Sequence, residues 1–130
     1  MIYQNDFYQN LNKPVFTPKP KVFRIVWSVL YGLMTISFIM LLMNPNSFYK
    51  LAAIIIFISQ LFFNFLYSPV FFIFKKIKLS FLISILLVFL ILILIIILLK
   101  ISLLSAVLLI PYLLWLIFAS ILNYYIVKLN

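Results

Sequence analysis

"LSFLISILLVFLILILIIILLKISLLSAVLLIPYLLWLIFASILNYYIV" occupies residues 79–127, with Lys100 as its one charged side chain. A helix crosses the ~30 Å hydrocarbon core of a bilayer in roughly 20 residues. This stretch is more than twice that length, so it must cross, turn and cross again. Lys100 and Ser102 mark the turn, which sets spans at 79–99 and 103–127.

Two further spans lie upstream. "KKIK" (75–78) concentrates charge that cannot stay in hydrocarbon, and it closes an apolar segment at 48–74. "NPNS" (44–47) separates that segment from another at 22–43. Pro45 and two asparagines stop one helix there, and Ser47 can cap the next. The reading is an all-α, polytopic membrane helix bundle of four spans (22–130), preceded by a polar N-terminal segment (1–21).

Composition supports this class. The chain has 130 residues, 68% of them hydrophobic, ten basic side chains and a single acid, Asp6. A formal charge of +9 would suit nucleic acid, but the charges sit between apolar blocks, as in membrane loops. Nucleic acid is therefore not an expected partner. With no Cys and no His, disulfides, thiolate nucleophiles and the common metal sites are excluded. No carboxylate lies inside a span to run a proton relay. The spans place both termini and the 75–78 loop on one side, with eight of the ten basic residues; Lys50 and Lys100 are on the other. The positive-inside bias makes both termini cytoplasmic.

The third span is nearly featureless: past Ser84 it reads "ILLVFLILILIIILL" (85–99), the pattern of a scaffold helix. The other three carry polar and aromatic stripes at helical spacing. These are Arg24, Trp27, Ser28, Tyr31 and Thr35; Gln60, Asn64, Tyr67 and Ser68; and Tyr112, Trp115, Ala119 and Asn123, with Leu122 beside them. A polar group without a partner costs roughly 2–7 kcal/mol in an apolar medium, so the stripes must face one another or a cavity. Two readings stay open. One is interhelical glue. The other is a pocket lined by Trp27, Tyr31, Tyr67, Tyr112 and Trp115, suited to a flat aromatic ligand. Pro69 and Pro111 each remove a backbone hydrogen bond, which kinks a helix and can widen the space beside it.

The blocks "NKPVFTP" (12–18), "VWSVLYGLM" (26–34), "QLFFNFLYSPVFF" (60–72) and "PYLLWLIFASILNYYIVKLN" (111–130) resemble, in order, those of the translocator protein family. Its members are also called tryptophan-rich sensory proteins or peripheral-type benzodiazepine receptors (TspO/MBR). The resemblance implies a five-helix membrane bundle, usually a homodimer, with a ligand pocket between the helices. It implies porphyrin ligands such as protoporphyrin IX and haem, hydrophobic sterol-like ligands in many members, and no required cofactor. A bacterial cytoplasmic membrane is the location it suggests, with sensing or trafficking as the role. By position, Trp27 and Trp115 match two pocket tryptophans linked to light-dependent porphyrin breakdown in some members, the alternative, catalytic reading. Tyr31, Gln60, Asn64, Tyr67 and Pro69 match pocket-lining positions, and Ala119 and Leu122 the ligand face of the last helix.

There are departures from the family pattern. "PKPKVF" (18–23) stands where members commonly have "PPGW" or similar, and Tyr67 stands where many have tryptophan. "LNYYIVK" (122–128) fits the loose cholesterol-recognition pattern, though a Tyr and a Lys at a helix end are more simply interfacial anchors. The four spans correspond to the family's helices two to five, so the expectation is a bundle without the first helix. Either that helix is absent or the start codon is misplaced. A remnant that only associates with a full-length relative is a further alternative. On the same correspondence, residues 12–21 form a lid-like loop over the cytoplasmic mouth of the pocket.

Overall fold

A computed structural model describes residue 13, residue 15 and residues 17–130. The lid-like loop expected over 12–21 lies in good part outside the described residues. Among the described residues five helices follow one another: α1 (Pro20–Leu42), α2 (Phe48–Ser68) continued by a π-helical turn (Pro69–Ile73), α3 (Ile77–Leu98), α4 (Leu103–Leu108) and α5 (Ile110–Leu129). Grouped by length and apolarity they make four membrane spans: Lys21–Leu42, Phe48–Phe71, Ile77–Leu98 and Leu103–Leu129. Helices suit this sequence because lipid offers the backbone no partners, so every amide must bond within its own segment.

The ends of the helices follow from particular side chains. Pro20 opens α1 in its first turn, where a missing N–H costs nothing. At the other end of α1, Lys50 reaches back from α2 and donates to Leu42 O (3.0 Å), Asn44 O (2.8 Å) and Asn46 Oδ1 (3.2 Å). It thereby satisfies carbonyls near the helix end that the helix cannot pair. Ser47 caps α2 as expected, accepting from Lys50 N at 3.1 Å. Ser102 caps α4 in the same way, accepting from Ser105 N at 3.4 Å.

Two expected helices differ in their course. The segment 48–74 is not one continuous α-helix: after Ser68 it widens, with Phe74 N bonded to Pro69 O at 3.0 Å, a five-residue step. Pro69 has no N–H and its ring presses on the preceding turn, and the π turn begins at that residue. The last span, expected as one helix over 103–127, is broken at Leu109 and runs on to Leu129. There Leu109 N turns back to Ala106 O at 3.1 Å, and Pro111 starts α5 afresh. The third span begins at Ile77 and ends at Leu98, close to the expected 79–99.

α3 is the central scaffold. Leu87, Ile91, Leu94 and Leu98 are fully or nearly fully buried, a seam with coiled-coil spacing. α3 packs most extensively against α2 on one flank and α5 on the other, while α1 packs chiefly on α4. The α1–α4 contact is close because small residues meet there. Ser37 Oγ donates to Ser105 O (2.9 Å) and Ser105 Oγ to Ser37 O (3.3 Å), beside the fully buried Ala106. Between α1 and the α2/α5 pair, large side chains fill the interior.

Candidate functional site

The interior bounded by α1, α2 and α5 has two parts. In the first, a chain of hydrogen bonds crosses all three helices. Tyr31 Oη donates to Asn64 Oδ1 (2.5 Å), Asn64 Nδ2 to Tyr112 Oη (2.6 Å), and Tyr112 Oη to Gln60 Oε1 (2.9 Å). Gln60 Nε2 points to Met34 Sδ at 3.8 Å. Gln60, Asn64 and Tyr112 are fully buried. Each link consumes a donor and an acceptor, and no buried side-chain nitrogen or oxygen of this closed run is left without a partner.

The second part lies toward the N-terminal end of α1 and the C-terminal ends of α2 and α5. Here the aromatic rings meet one another. Trp27 stands edge-on to Tyr112 (6.1 Å between ring centres) and to Trp115 (6.5 Å). Phe23 meets Trp115 edge-on at 5.6 Å, and Tyr67 stacks on Phe71 at 5.9 Å. Asn123 Nδ2 donates to Tyr67 Oη. Three buried polar atoms of α5 have no hydrogen-bond partner among the described residues: Trp115 Nε1, Ser120 Oγ and Asn123 Oδ1. Leu122 is buried with Phe71 and Ile126 in a small apolar cluster, against which Phe23, Tyr67 and Ile77 pack. Ala119 and Pro69 are half-buried, Pro69 at the head of the π turn.

The sequence-derived residues thus divide. Tyr31, Gln60, Asn64 and Tyr112 form the closed chain, whereas Tyr67, Trp115, Leu122 and Asn123 belong to the second part, with Trp27 touching both. The α1 stripe does not share one inward face. Arg24, Ser28 and Thr35 are exposed, and the two hydroxyls bond their own helix, Ser28 Oγ to Arg24 O and Thr35 Oγ1 to Tyr31 O, each at 2.8 Å. They sit a quarter-turn or so from Trp27, and an i−4 carbonyl satisfies them without any neighbour. The rings expected to line an open space instead close on each other. A surface groove of about 530 Å³ lies elsewhere, lined by Asn46, Ser47, Phe48, Lys50, Leu51 and Ile54, and contains none of the ligand-site residues expected from the sequence.

Several contributors escaped the sequence reading. Phe23 lies one turn before Trp27, a helical spacing that marks the same face. Ser120 is three residues before Asn123, a signal of the same kind. Met34 and Phe71 are ordinary apolar residues, and nothing in the sequence sets them apart.

Four apolar spans around a buried aromatic and polar interior define a multi-pass membrane protein. Comparison with known proteins places it further: the model of the TspO/MBR family matches residues 2–129. The chain belongs to that family. It is 29% identical over 130 residues to a tryptophan-rich sensory protein of Cereibacter sphaeroides, covering all of this chain and 80% of the relative. It is 34% identical over 125 residues to the tryptophan-rich protein TspO of Archaeoglobus fulgidus, covering 95% of this chain and 80% of the relative. A third relative, the tryptophan-rich protein TspO of Bacillus cereus, is 32% identical over 128 residues, with the same coverage.

Proposed function

We propose that this protein is a membrane-embedded, ligand-binding sensory protein whose ligand is a porphyrin, protoporphyrin IX or haem. Sterol-like hydrophobic molecules form the wider class, and the working form is a homodimer in a bacterial cytoplasmic membrane with both termini inside. Family membership and the names of the relatives support the sensory role. One observation carries the site: three buried polar atoms of α5, Trp115 Nε1, Ser120 Oγ and Asn123 Oδ1, have no partner among the described residues, and Trp115 itself stands edge-on to Phe23 and Trp27. An unbonded buried polar group costs about 1–3 kcal/mol, and a ligand that supplies the partner recovers that cost. A tetrapyrrole offers flat faces for the rings of Phe23, Trp27, Tyr67 and Trp115. Its peripheral carboxylates also offer acceptors for Trp115 Nε1 and the Ser120 hydroxyl. Entry requires ring-to-ring contacts to part, since Trp115 meets both Phe23 and Trp27 edge to face.

The test is a titration of the detergent-solubilised protein with protoporphyrin IX, following the porphyrin Soret band and tryptophan emission together. A saturable Soret shift with parallel quenching is expected. A shift no larger than in empty micelles refutes the reading. A second reading, light-dependent porphyrin breakdown, is favoured by the proximity of Trp27 and Trp115, 6.5 Å apart. It requires protein-dependent bleaching of bound porphyrin under illumination, abolished in Trp115→Phe. Binding without such bleaching leaves the sensory reading alone.

A further inference from the structure

The residues packed on the smaller apolar cluster carry much of the molecule's positive charge with them. Phe23, Ile77 and Ile126 all belong to, or pack against, the cluster around Phe71 and Leu122. Phe23 has Lys21 and Arg24 close by in sequence, Ile77 sits between Lys76 and Lys78, and Ile126 lies two residues before Lys128. Packing therefore gathers five cations from three separate chain segments around one end of the bundle. All five are exposed, and none of their side chains has a partner among the described residues. The chain's single acid, Asp6, lies outside those residues.

The turn that presents Lys76 and Lys78 has a defined geometry. The π turn Pro69–Ile73 leads into Lys75, whose backbone is left-handed (φ 57°), and Lys76 N closes the reversal on Val70 O at 3.0 Å. Side chains other than glycine, asparagine and aspartate seldom adopt that conformation. The opposite end of the molecule behaves differently. Lys50 directs its ammonium to three oxygens of the α1–α2 connection, and Lys100 sits over the Tyr49 ring at 5.4 Å. Those two cations are engaged within the protein.

We propose that the five-cation rim is a binding site for anionic phospholipid headgroups. The phosphate is held by Lys76, Lys78 and Lys128, with Lys21 and Arg24 completing the ring, while the acyl chains lie along the exposed Ile73, Phe74 and Leu79. Cations at the membrane boundary with no carboxylate partner among the described residues draw in anions, and lipid phosphates are the anions fixed at that depth. Each juxtamembrane cation raises association with an anionic surface by about fivefold, and the attraction weakens as salt screens it. The site is independent of what the interior binds.

The experiment uses the full chain in phosphatidylcholine bilayers with spin-labelled phosphatidylglycerol or spin-labelled phosphatidylcholine. It measures the fraction of each probe motionally restricted by the protein. Phosphatidylglycerol should be preferred at least threefold at low salt, with the preference falling in about 0.5 M salt, where the Debye length drops to a few ångströms. Lys76→Gln/Lys78→Gln/Lys128→Gln should bring the preference close to one, whereas Lys50→Gln/Lys100→Gln should leave it unchanged. Equal restriction of both lipids by the native protein overturns the proposal, as does equal loss in the two variants. Loss of the preference on adding millimolar inorganic phosphate at constant ionic strength also overturns it, because the site would then take free phosphate rather than lipid.

Discussion

The two halves of the interior are built from the same residue types and differ in how completely they are bonded. Around Asn64, each amide and phenol finds a partner: Tyr31 to Asn64, Asn64 to Tyr112, Tyr112 to Gln60. Around Asn123, one amide hydrogen reaches Tyr67, while Asn123 Oδ1, and on the same helix Ser120 Oγ and Trp115 Nε1, are buried with no partner among the described residues. An asparagine and a tyrosine meet in both places, so residue type does not separate the two halves. Saturation does. A network in which every polar atom has a partner holds helices together, whereas one with unpartnered atoms keeps directional groups in reserve at some cost to the fold.

The sharpest way to break this contrast is to remove each asparagine in turn. Asn64→Leu deletes two interhelical bonds and leaves the Tyr31 and Tyr112 hydroxyls without that partner. Interhelical bonds within membranes are worth about 0.6–1.7 kcal/mol each, so a loss of about 2–3 kcal/mol is expected, read as a lower thermal midpoint in detergent. Asn123→Leu deletes one bond but also removes an unpaired buried acceptor. Its net cost should stay within about 1 kcal/mol. Equal destabilisation by the two would remove the distinction between the halves.

How much of this was legible follows from the same residues. The four spans could be read because hydrophobic length is set by the bilayer, and charges at Lys75–Lys78 and Lys100 cannot be hidden. Ser47 was legible as a cap for an equally local reason. The inner face of α3 was not: Leu87, Ile91, Leu94 and Leu98 are buried, but the helix is apolar all round, so no face stands out by hydrophobicity. The π turn after Pro69 and the break at Leu109 were not readable either, because a proline fixes only that something must yield. The candidate site was half legible. Residue type and spacing brought Gln60, Asn64, Tyr112, Trp115 and Asn123 forward, but which donor meets which acceptor depends on helix rotation. Helical spacing alone also could not exclude Ser28 and Thr35 from the face of Trp27.

If the open half receives the ligand, Trp115→Phe keeps most of the ring and loses the indole N–H. Removing one hydrogen bond of about 1–1.5 kcal/mol should weaken protoporphyrin IX binding roughly tenfold with little change in thermal midpoint. The corresponding change in the closed half, Tyr112→Phe, should do the reverse: it cuts the chain between Asn64 and Gln60 and lowers the midpoint while leaving affinity nearly unchanged. Affinity losses of the same size in both variants would mean that the ligand bridges the two halves.

Smaller again is the effect of Ser120→Ala. The hydroxyl is buried and makes no bond among the described residues, so its removal relieves a desolvated polar group and leaves a cavity of only one oxygen. A gain of about 0.5–1 kcal/mol in stability is expected, with porphyrin affinity falling if Ser120 orients the ligand.

At the bottom of the scale stands Ser28→Ala, which tests where the interior stops. Ser28 shares the helical spacing of Trp27 and Tyr31, yet it is exposed and its Oγ turns back to Arg24 O at 2.8 Å. Arg24 O lies within a helix and keeps its i+4 backbone amide as partner when the hydroxyl is gone. Nothing across a helix interface is lost, so stability should change by less than about 0.5 kcal/mol and porphyrin affinity not at all. Ser37→Ala is the matched control, because its hydroxyl bonds Ser105 O across the α1–α4 contact and should cost about 1 kcal/mol. A Ser28 effect as large as that of Ser37 would mean that this side of α1 is covered in the working protein, and that the stripe from Arg24 to Thr35 meets another helix rather than lipid.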